Sequence, residues 1–253
     1  MLPLIRMNPL FPILHEDDDL LVINKPAGLV CHPTKGDEYS SLISRVRLHL
    51  GSLATAHLVN RLDRETSGVV LVAKNAAAAG ELGKILESRA VAKEYLAIVH
   101  GHVAAEQGTI DAPLGKDEHS RVAVKDCVRP DGAPSQTDFW VERKFWHPPA
   151  ELNPSAFSLL RVIPRTGRKH QIRIHLAHAG HPLVGDKIYG GDEDLYLALV
   201  ENRLTDEQRA RLILENPALH ARAMRFAWRG RPHEFACPPE TAFTNFSGMG
   251  QAI

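Results

Sequence analysis

The residues best suited to chemistry lie in the short segment 60–68. One carboxylate, Asp63, has Arg61 two positions before it and Arg64 directly after it, and turn-forming residues then lead into the apolar run 69–73. Nearby positive charge favours the ionised form of a carboxylate. A loop at the entrance to a buried strand is a position from which a nucleophile or a general base can act. A solvated ion-pair cluster explains the same residues and is the commoner case on composition alone, so both interpretations stay open at this point.

A second candidate segment, residues 161–173, is strongly basic. It contains five Lys or Arg residues and no Asp or Glu. Residues 169–179 have helical spacing, so main-chain N–H groups at the start of that helix would lie beside the guanidinium groups. Such a surface suits phosphate, and RNA or DNA is the obvious polymer. A solvated basic face is equally compatible with this composition.

Four histidines between positions 170 and 181 have a spacing that would allow metal binding. No Asp, Glu or Cys lies among them, and neighbouring basic side chains add charge that would repel a divalent cation. We therefore expect ordinary polar histidines and no metal site. The four are His170, His175, His178 and His181.

Composition and missing motifs exclude several classes of protein. The chain has 253 residues, 44% of them apolar, and a formal net charge of zero, which is unlike a protein that grips nucleic acid over its whole surface. Three widely spaced cysteines favour neither a disulfide framework nor a zinc knuckle. Neither a long apolar run nor a secretory leader is evident, so we expect a cytoplasmic protein. The phosphate-binding loop, the dinucleotide fingerprint and the nucleophile elbow are also missing.

The elements that must position these residues are helices mixed with strands. Helices are predicted from Ser40 or Ser41 to about 50, from Asn75 to about 88 and from 169 to 179, ending at Gly180. Because strands and helices do not alternate regularly as in βαβ units, the predicted fold class is α+β around one extended sheet. We expect one domain over 1–253, with a core at about 12–240 and an acidic peripheral insertion at about 191–216. Strands are predicted near 20–24, 69–73, 91–99, 121–124, 135–142, 157–163, 221–228 and 234–237.

Several segments, taken in chain order, resemble the RluA-type RNA pseudouridine synthases. They cover the chain from about 12 to 240, and the ordered set is far more specific than any one segment. Asn60 departs from the pattern, because many relatives have His at this position. The matching segments are 24–28, 61–68, 93–95, 136–137, 166–173, 181–189 and 219–221.

The resemblance implies roles for individual side chains. Asp63 would be the catalytic carboxylate that attacks a flipped-out uridine, and Arg173 would form an ion pair with it. Tyr95, at a position that alternation makes inward-facing, would stack on the flipped base, although a core tyrosine is the simpler interpretation. Arg61 would fill the space that the base leaves. Arg168 and Lys169 are implied as phosphate contacts.

The resemblance also implies a pseudouridine synthase fold, with an extended, mostly antiparallel sheet and a central RNA-binding cleft. The partner would be rRNA or tRNA, with no DNA, membrane or cofactor. We expect a monomer without an N-terminal S4-like RNA-binding domain. Two rival hypotheses are an inactive RNA-binding module on the same scaffold and a metal-dependent hydrolase that uses the histidines. The presence of Asp63, Tyr95 and Arg173 together disfavours the inactive module.

Overall fold

The computed structural model describes residues 11–33, 40–51, 55–147 and 155–249. The chain divides into two compact units. Unit 1 comprises residues 1–91 and 225–237, and unit 2 comprises residues 92–224 and 238–253. Within the described ranges, no helix is both long and apolar enough to span a membrane. The expectation of one catalytic domain over 1–253 stays a prediction.

Unit 1 is built on strands that pair antiparallel in the order β1-β2-β4, with β3 also paired to β4. Every residue of β4 is buried, as its uninterrupted apolar sequence predicts. Ser41 and Asn75 cap the two helices through their side chains, as the sequence predicts. The elements are β1 (Ile13–Glu16), β2 (Leu20–Lys25), α1 (Leu42–Leu50), β3 (His57–Leu58), β4 (Ser67–Ala73), α2 (Ala76–Glu87) and β12 (Arg231–Ala236), which pairs with the end of strand β11 (Leu219–Trp228).

Unit 2 contains a sheet in the order β11-β5-β10-β9-β6 and a separate β7-β8 ribbon. The β5-β10, β10-β9 and β9-β6 pairs are all antiparallel. Its elements are β5 (Ala92–His100), β6 (Gln107–Asp111), β7 (Leu114–Lys116), β8 (Asp126–Val128), β9 (Gln136–His147), β10 (Ser155–Pro164), α3 (Gln171–His178), α4 (Glu193–Val200), α5 (Asp206–Leu212), β11 (Leu219–Trp228, whose last four residues belong to unit 1) and α6 (Thr241–Ser247).

Each face of the unit 2 sheet carries its own core cluster. On one face Ile172 and Leu176 of α3 pack with Ala97 and Val162. On the other face the cluster includes Phe246 of α6.

The mixture of helices with these antiparallel strand pairs confirms the predicted α+β class and the mostly antiparallel pairing.

One local prediction is wrong, and two helices were not predicted. Residues 121–124 do not form a strand: they lie in a bend and turn closed by Lys125 N–H donating to the Val122 carbonyl, and β8 begins only at Asp126. The acidic segment 191–216 carries two helices that the sequence analysis did not predict, α4 and α5. Tyr196 and Leu197 of α4 pack against a buried cluster that includes Tyr189.

Candidate active site

Asp63 lies in unit 1, in the loop that connects β3 to β4. Its main-chain carbonyl accepts a hydrogen bond from Thr66 N–H at 3.2 Å, which closes a turn. The side chain of Asp63 is half-buried, whereas Thr66 and Ser67 at the start of β4 are buried. The carboxylate therefore lies in a tight turn directly before a fully buried strand.

Two side chains fix the loop on either side of Arg61. Asn60 bridges to β4: its Nδ2 donates to the Val69 carbonyl at 3.2 Å, and its Oδ1 accepts from Leu71 N–H at 2.8 Å. The buried thiol of Cys31 donates to the Leu62 carbonyl at 3.3 Å. Arg61 itself is exposed. The chain before Asp63 is thus held by hydrogen bonds at residues 60 and 62, whereas Arg61 between them is exposed.

Lys25, at the end of β2, joins the Asp63 loop to the preceding turn. Its side chain is fully buried, and Nζ donates to the carbonyls of Pro26 at 2.8 Å, Leu29 at 2.8 Å and Arg64 at 3.1 Å. Nε of Arg64 donates in turn to the carbonyl of Gly28 at 3.2 Å. Charge-assisted bonds of this kind are stronger than neutral ones, so they rigidify the segment that carries the carboxylate.

Replacing Asn60 with Ala should destabilise unit 1 by about 1–3 kcal/mol, because the buried Leu71 N–H would lose its acceptor. The measurement is thermal or urea unfolding of the purified protein. Asn24→Ala, on neighbouring strand β2, is the matched control. An Asn60→Ala loss no larger than the control's would contradict the assignment of Asn60 as the residue that fixes this loop.

Tyr95 lies in β5 of unit 2, opposite Val162 of β10. Its side chain is half-buried and packs against the core cluster that also contains Ile172 of α3. The predicted inward-facing position of Tyr95 is therefore observed. Its ring lies on the sheet face that α3 covers.

Arg173, on α3, is only 3% exposed and forms a buried ion pair with Asp186. Its Nε donates to one carboxylate oxygen at 2.7 Å, and one of its terminal nitrogens donates to the other oxygen at 2.8 Å. The main-chain N–H groups of Ile188 and Tyr189 donate to the same carboxylate at 2.9 and 3.0 Å. Asp186 thus fixes one edge of the guanidinium group in a bidentate geometry.

The electrostatics of Asp186 follow from these contacts. Burial alone would raise the pKa of Asp186, but the charge and hydrogen bonds of Arg173 and the two N–H groups outweigh it, so the pKa is lowered. Gly185 places the carboxylate: its φ is 79°, and a Cβ there would lie 2.5 Å from the carbonyl oxygen of Asn216. Only glycine fits this approach without a shift of the backbone.

A chain of buried polar groups fixes the N-terminal part of α3. Nε2 of Gln171 donates to the hydroxyl of Thr137 at 2.9 Å, while its Oε1 accepts from the Arg168 N–H at 3.0 Å. The Thr137 hydroxyl lies 2.8 Å from Nδ1 of His175, whose Nε2 lies 3.0 Å from the Ala112 carbonyl. Since a carbonyl can only accept, His175 carries its proton on Nε2. The matching segments 136–137 and 166–173 are therefore parts of one hydrogen-bonded assembly.

His175 should make the protein sensitive to mild acid. Burial lowers the pKa of His175, so the unfolded state binds the proton more readily than the folded state. Its stabilising contribution is complete above the unfolded pKa of about 6.5 and is lost as the pH falls through the folded pKa, by up to about 1.4 kcal/mol per pH unit. Unfolding followed from about pH 7 to about pH 5 should show a weaker dependence for His175→Gln. Equal slopes would contradict this assignment.

Two of the other three histidines between positions 170 and 181 lie within hydrogen-bonding distance of protein groups. Nδ1 of His170 lies 2.9 Å from the hydroxyl of Tyr189, and Nδ1 of His181 lies 2.9 Å from the carbonyl of His100. Within the described ranges, no group of three or more His, Cys, Asp or Glu side chains is arranged to hold a metal ion. The His175 ring is held by Thr137 and Ala112 on its two nitrogens, so it is not available as a ligand in this arrangement.

The predicted RNA contacts differ in their surroundings. Arg61 and Arg168 are exposed, and no carboxylate among the described residues pairs with either. Lys169 pairs with Asp126 at 2.8 Å, which offsets much of its charge. Asp63 and Arg61 belong to unit 1, whereas Tyr95, Arg173, Arg168 and Lys169 belong to unit 2. The ion pair between Asp63 and Arg173 stays a prediction.

The sequence analysis assigned no role to Lys25 or Asp186, and it treated His175 as one of four ordinary polar histidines. Each is a charged or polar side chain that is 2% exposed or less. Lys25 and Asp186 lie within the matching segments 24–28 and 181–189. The sequence did contain a signal for both residues, because Lys25 stands beside Pro26 and Asp186 beside Gly185. Pro and Gly are typical of turns, where main-chain groups come close to a side chain.

Two solved structures have the same fold. The human protein RNA Pseudouridylate Synthase Domain Containing 1 matches with a TM-score of 0.71 and 26% identity, over 93% of this chain and 86% of that one. Human RNA Pseudouridylate Synthase Domain Containing 4 matches with a TM-score of 0.69 and 25% identity, over 94% of this chain and 92% of that one. The α+β fold described above is thus that of the pseudouridine synthases.

The sequence places the chain in a family. Residues 19–178 match the family model of RNA pseudouridylate synthases. The ribosomal large subunit pseudouridine synthase D of Nitrosomonas europaea is 40% identical over 181 residues, which are 70% of this chain and 49% of that protein. The corresponding enzyme of Xanthomonas campestris is 38% identical over 217 residues, 85% of this chain and 61% of that protein. The chain belongs to the RNA pseudouridylate synthase family, as its motifs predict, and spans about half to three fifths of the length of these relatives.

Proposed function

We propose that this protein isomerises uridine to pseudouridine in RNA, with Asp63 as the catalytic carboxylate. The observation that carries the proposal is the rigidly held Asp63 loop in a chain of this family. Lys25, Asn60 and Cys31 each fix the main chain within three residues of the carboxylate. Such preorganisation is what a nucleophile requires, because no rearrangement is then needed in the transition state.

The reaction exchanges one glycosidic bond for another. The bond between N1 of uracil and C1′ of ribose breaks with the help of the Asp63 carboxylate, and the detached base turns within the site. C5 then bonds to C1′, and the proton lost from C5 is balanced by the proton gained at N1. No oxidant, reductant or cofactor enters this balance. Uracil must remain bound throughout, so the site needs a platform for the free base.

Three further side chains have roles in the proposal. Tyr95 forms the platform on which the flipped base stacks, because an aromatic ring accepts any base face. Arg173 pairs with Asp63 through the guanidinium edge that does not face Asp186, which aims the carboxylate at the substrate. Arg61 enters the stack that the target base leaves and so lowers the cost of flipping.

The proposed substrate is ribosomal RNA of the large subunit, because the relatives of Nitrosomonas and Xanthomonas are named for it. Transfer RNA is the second candidate from the sequence analysis. Arg168 is the better phosphate contact and Lys169 the weaker one, since Asp126 already pairs with Lys169. A central RNA-binding cleft, a monomeric state and a cytoplasmic location are part of the same proposal.

The test incubates the purified protein with in-vitro transcripts of large-subunit rRNA and of tRNA. Pseudouridine is mapped by carbodiimide modification and primer extension. We expect a new stop at one or more uridines of the rRNA transcript. If neither transcript gains pseudouridine under conditions in which the protein is folded, the proposed activity is wrong.

A further inference from the structure

Lys93 is a residue of the matching segment 93–95 to which the proposed mechanism gives no role. It lies near the start of β5, two positions before Tyr95. Side chains two positions apart on a strand lie on the same face, about 7 Å apart. Glu94, between them, lies on the opposite face and is within 3.5 Å of Arg222. Lys93 and Tyr95 therefore lie side by side on the face of the unit 2 sheet that α3 covers.

The ammonium group of Lys93 differs from those of most other lysines. It is half-buried, yet no carboxylate or carbonyl among the described residues accepts a hydrogen bond from it. Lys84, on α2, is exposed and needs no protein partner. The other described lysines all donate to an acceptor: Lys25, Lys74, Lys116, Lys125, Lys144, Lys169 and Lys187.

A partly desolvated cation without a partner is unfavourable for the folded protein. Burial lowers the pKa of Lys93, and burial is the sole cause of that shift. A group of this kind is usually either neutralised or paired with an opposite charge. When it stays unpaired beside an aromatic side chain of a candidate active site, an incoming anion is the natural partner.

We propose that Lys93 binds a backbone phosphate of the nucleotide whose base stacks on Tyr95. This inference rests on the proposed function, because it takes Tyr95 as the platform for the flipped base. The distance between neighbouring same-face side chains of a strand is comparable with the span from a base to the phosphate of its own nucleotide. Lysine is a common phosphate ligand because its ammonium acts as a point charge. Each nucleotide brings one phosphate, so base and anion arrive together.

The contact has a specific consequence for the target nucleotide. A flipped nucleotide has left its helix, so its phosphate loses the neighbouring contacts that fix the backbone. Lys93 would fix that backbone on one side while Tyr95 fixes the base on the other. The ribose, where the glycosidic bond breaks, would then be restrained at both ends. Lys93 is therefore a substrate-binding residue and not a proton donor in this scheme.

The test compares Lys93→Met with Lys93→Arg, which keeps the charge. Lys144→Met is the control, because Lys144 is a lysine of the same unit whose Nζ already pairs with Glu106 at 2.6 Å. The probe is an in-vitro transcript of large-subunit rRNA, bound on filters from about 50 to about 200 mM salt. Unfolding temperatures are measured for all the variants.

Lys93→Met should bind the transcript about tenfold more weakly or worse, with the slope of log affinity against log salt reduced by about 0.7–0.9. Its unfolding temperature should equal or exceed that of the wild type, since an unpaired, partly buried charge is removed. Lys93→Arg and Lys144→Met should keep the wild-type slope. Weaker binding together with a more stable fold is a combination that a purely structural lysine would not give.

The outcomes separate this inference from the function on which it rests. If the wild type makes pseudouridine but Lys93→Met binds RNA with unchanged affinity and salt slope, the role of Lys93 is wrong and the proposed function stands. A fall in unfolding temperature for Lys93→Met, with the salt slope unchanged, would likewise assign the lysine to folding. If the wild type neither binds nor modifies the transcripts, the proposed function is wrong, and so is the phosphate contact of Lys93 that depends on it.

Discussion

Asp63→Asn should abolish pseudouridine formation. We expect its rate to be about 10³–10⁴-fold below that of the wild type, or lower still. The amide has nearly the same shape as the carboxylate but neither its charge nor its nucleophilicity. Because Asp63 is half-buried and its loop is held mainly by other side chains, folding should change by less than about 1 kcal/mol. The measurement is the time course of pseudouridine in the rRNA transcript, with the unfolding temperature as the check on folding.

Glu65→Gln is the matched control for Asp63→Asn. Glu65 lies two residues further along the same turn and is also half-buried, so its replacement removes a nearby carboxylate of the same loop. We expect the control to keep most of the wild-type rate. Equal activity of Asp63→Asn and the wild type would remove Asp63 from the catalytic role, even if the protein proved to be a pseudouridine synthase. Equal loss in both variants would indicate a general electrostatic effect of the loop.

Local signals in the sequence predicted the elements that position this loop. The apolar run after residue 68 is the buried strand β4, and Ser41 and Asn75 cap their helices through side-chain oxygens. These signals are reliable because the side chain and the main-chain groups that it satisfies are close in sequence. The strand predicted at 121–124 was wrong because its three consecutive apolar residues look like a strand in the sequence, whereas in the structure only Val122 is buried, in a small cluster beside Ile174.

The partners of charged residues were much harder to predict than the elements. The flanking arginines suggested an ion-pair cluster around Asp63, yet Arg64 donates to the carbonyl of Gly28 and Arg61 is exposed. Arg173 pairs with Asp186, thirteen residues later, because α3 and the following loop fold back on each other. Charge attraction is not directional along the chain, so sequence proximity does not identify the partner. The family resemblance supplied the roles that spacing could not.

Asp186→Asn should both destabilise the fold and slow the reaction. The buried guanidinium of Arg173 would lose the carboxylate that holds it in a bidentate geometry, and removing one partner of a buried ion pair costs about 3–5 kcal/mol. Asp138→Asn is the control, since Asp138 pairs with Arg165 near the surface, where such pairs contribute about 1 kcal/mol or less. Both variants are compared with the wild type by urea unfolding.

The pH dependence gives an independent check on the same ion pair. The pKa of Asp186 is lowered in the folded state, so its contribution to stability is complete above the unfolded pKa of about 3.9 and is lost as the pH falls through the lower, folded value. The wild type should therefore lose its advantage over Asp186→Asn in strong acid. A constant difference in stability at all pH values would contradict the ionised pair.

A double variant separates the structural role of Asp186 from its role in the site. In Asp186→Asn with Arg173→Met the buried guanidinium is removed together with the carboxylate that pairs with it, so part of the lost stability should return. Activity should not return, because Arg173 is the group that the proposal directs at Asp63. If instead the double variant recovers both stability and pseudouridine formation, Arg173 serves only the fold. Asp186→Asn is also assayed on the transcript below its unfolding temperature. If it keeps the wild-type rate, the orientation of Arg173 by Asp186 does not matter for the reaction. A guanidinium group without its bidentate partner is then as effective as one that the carboxylate holds in place.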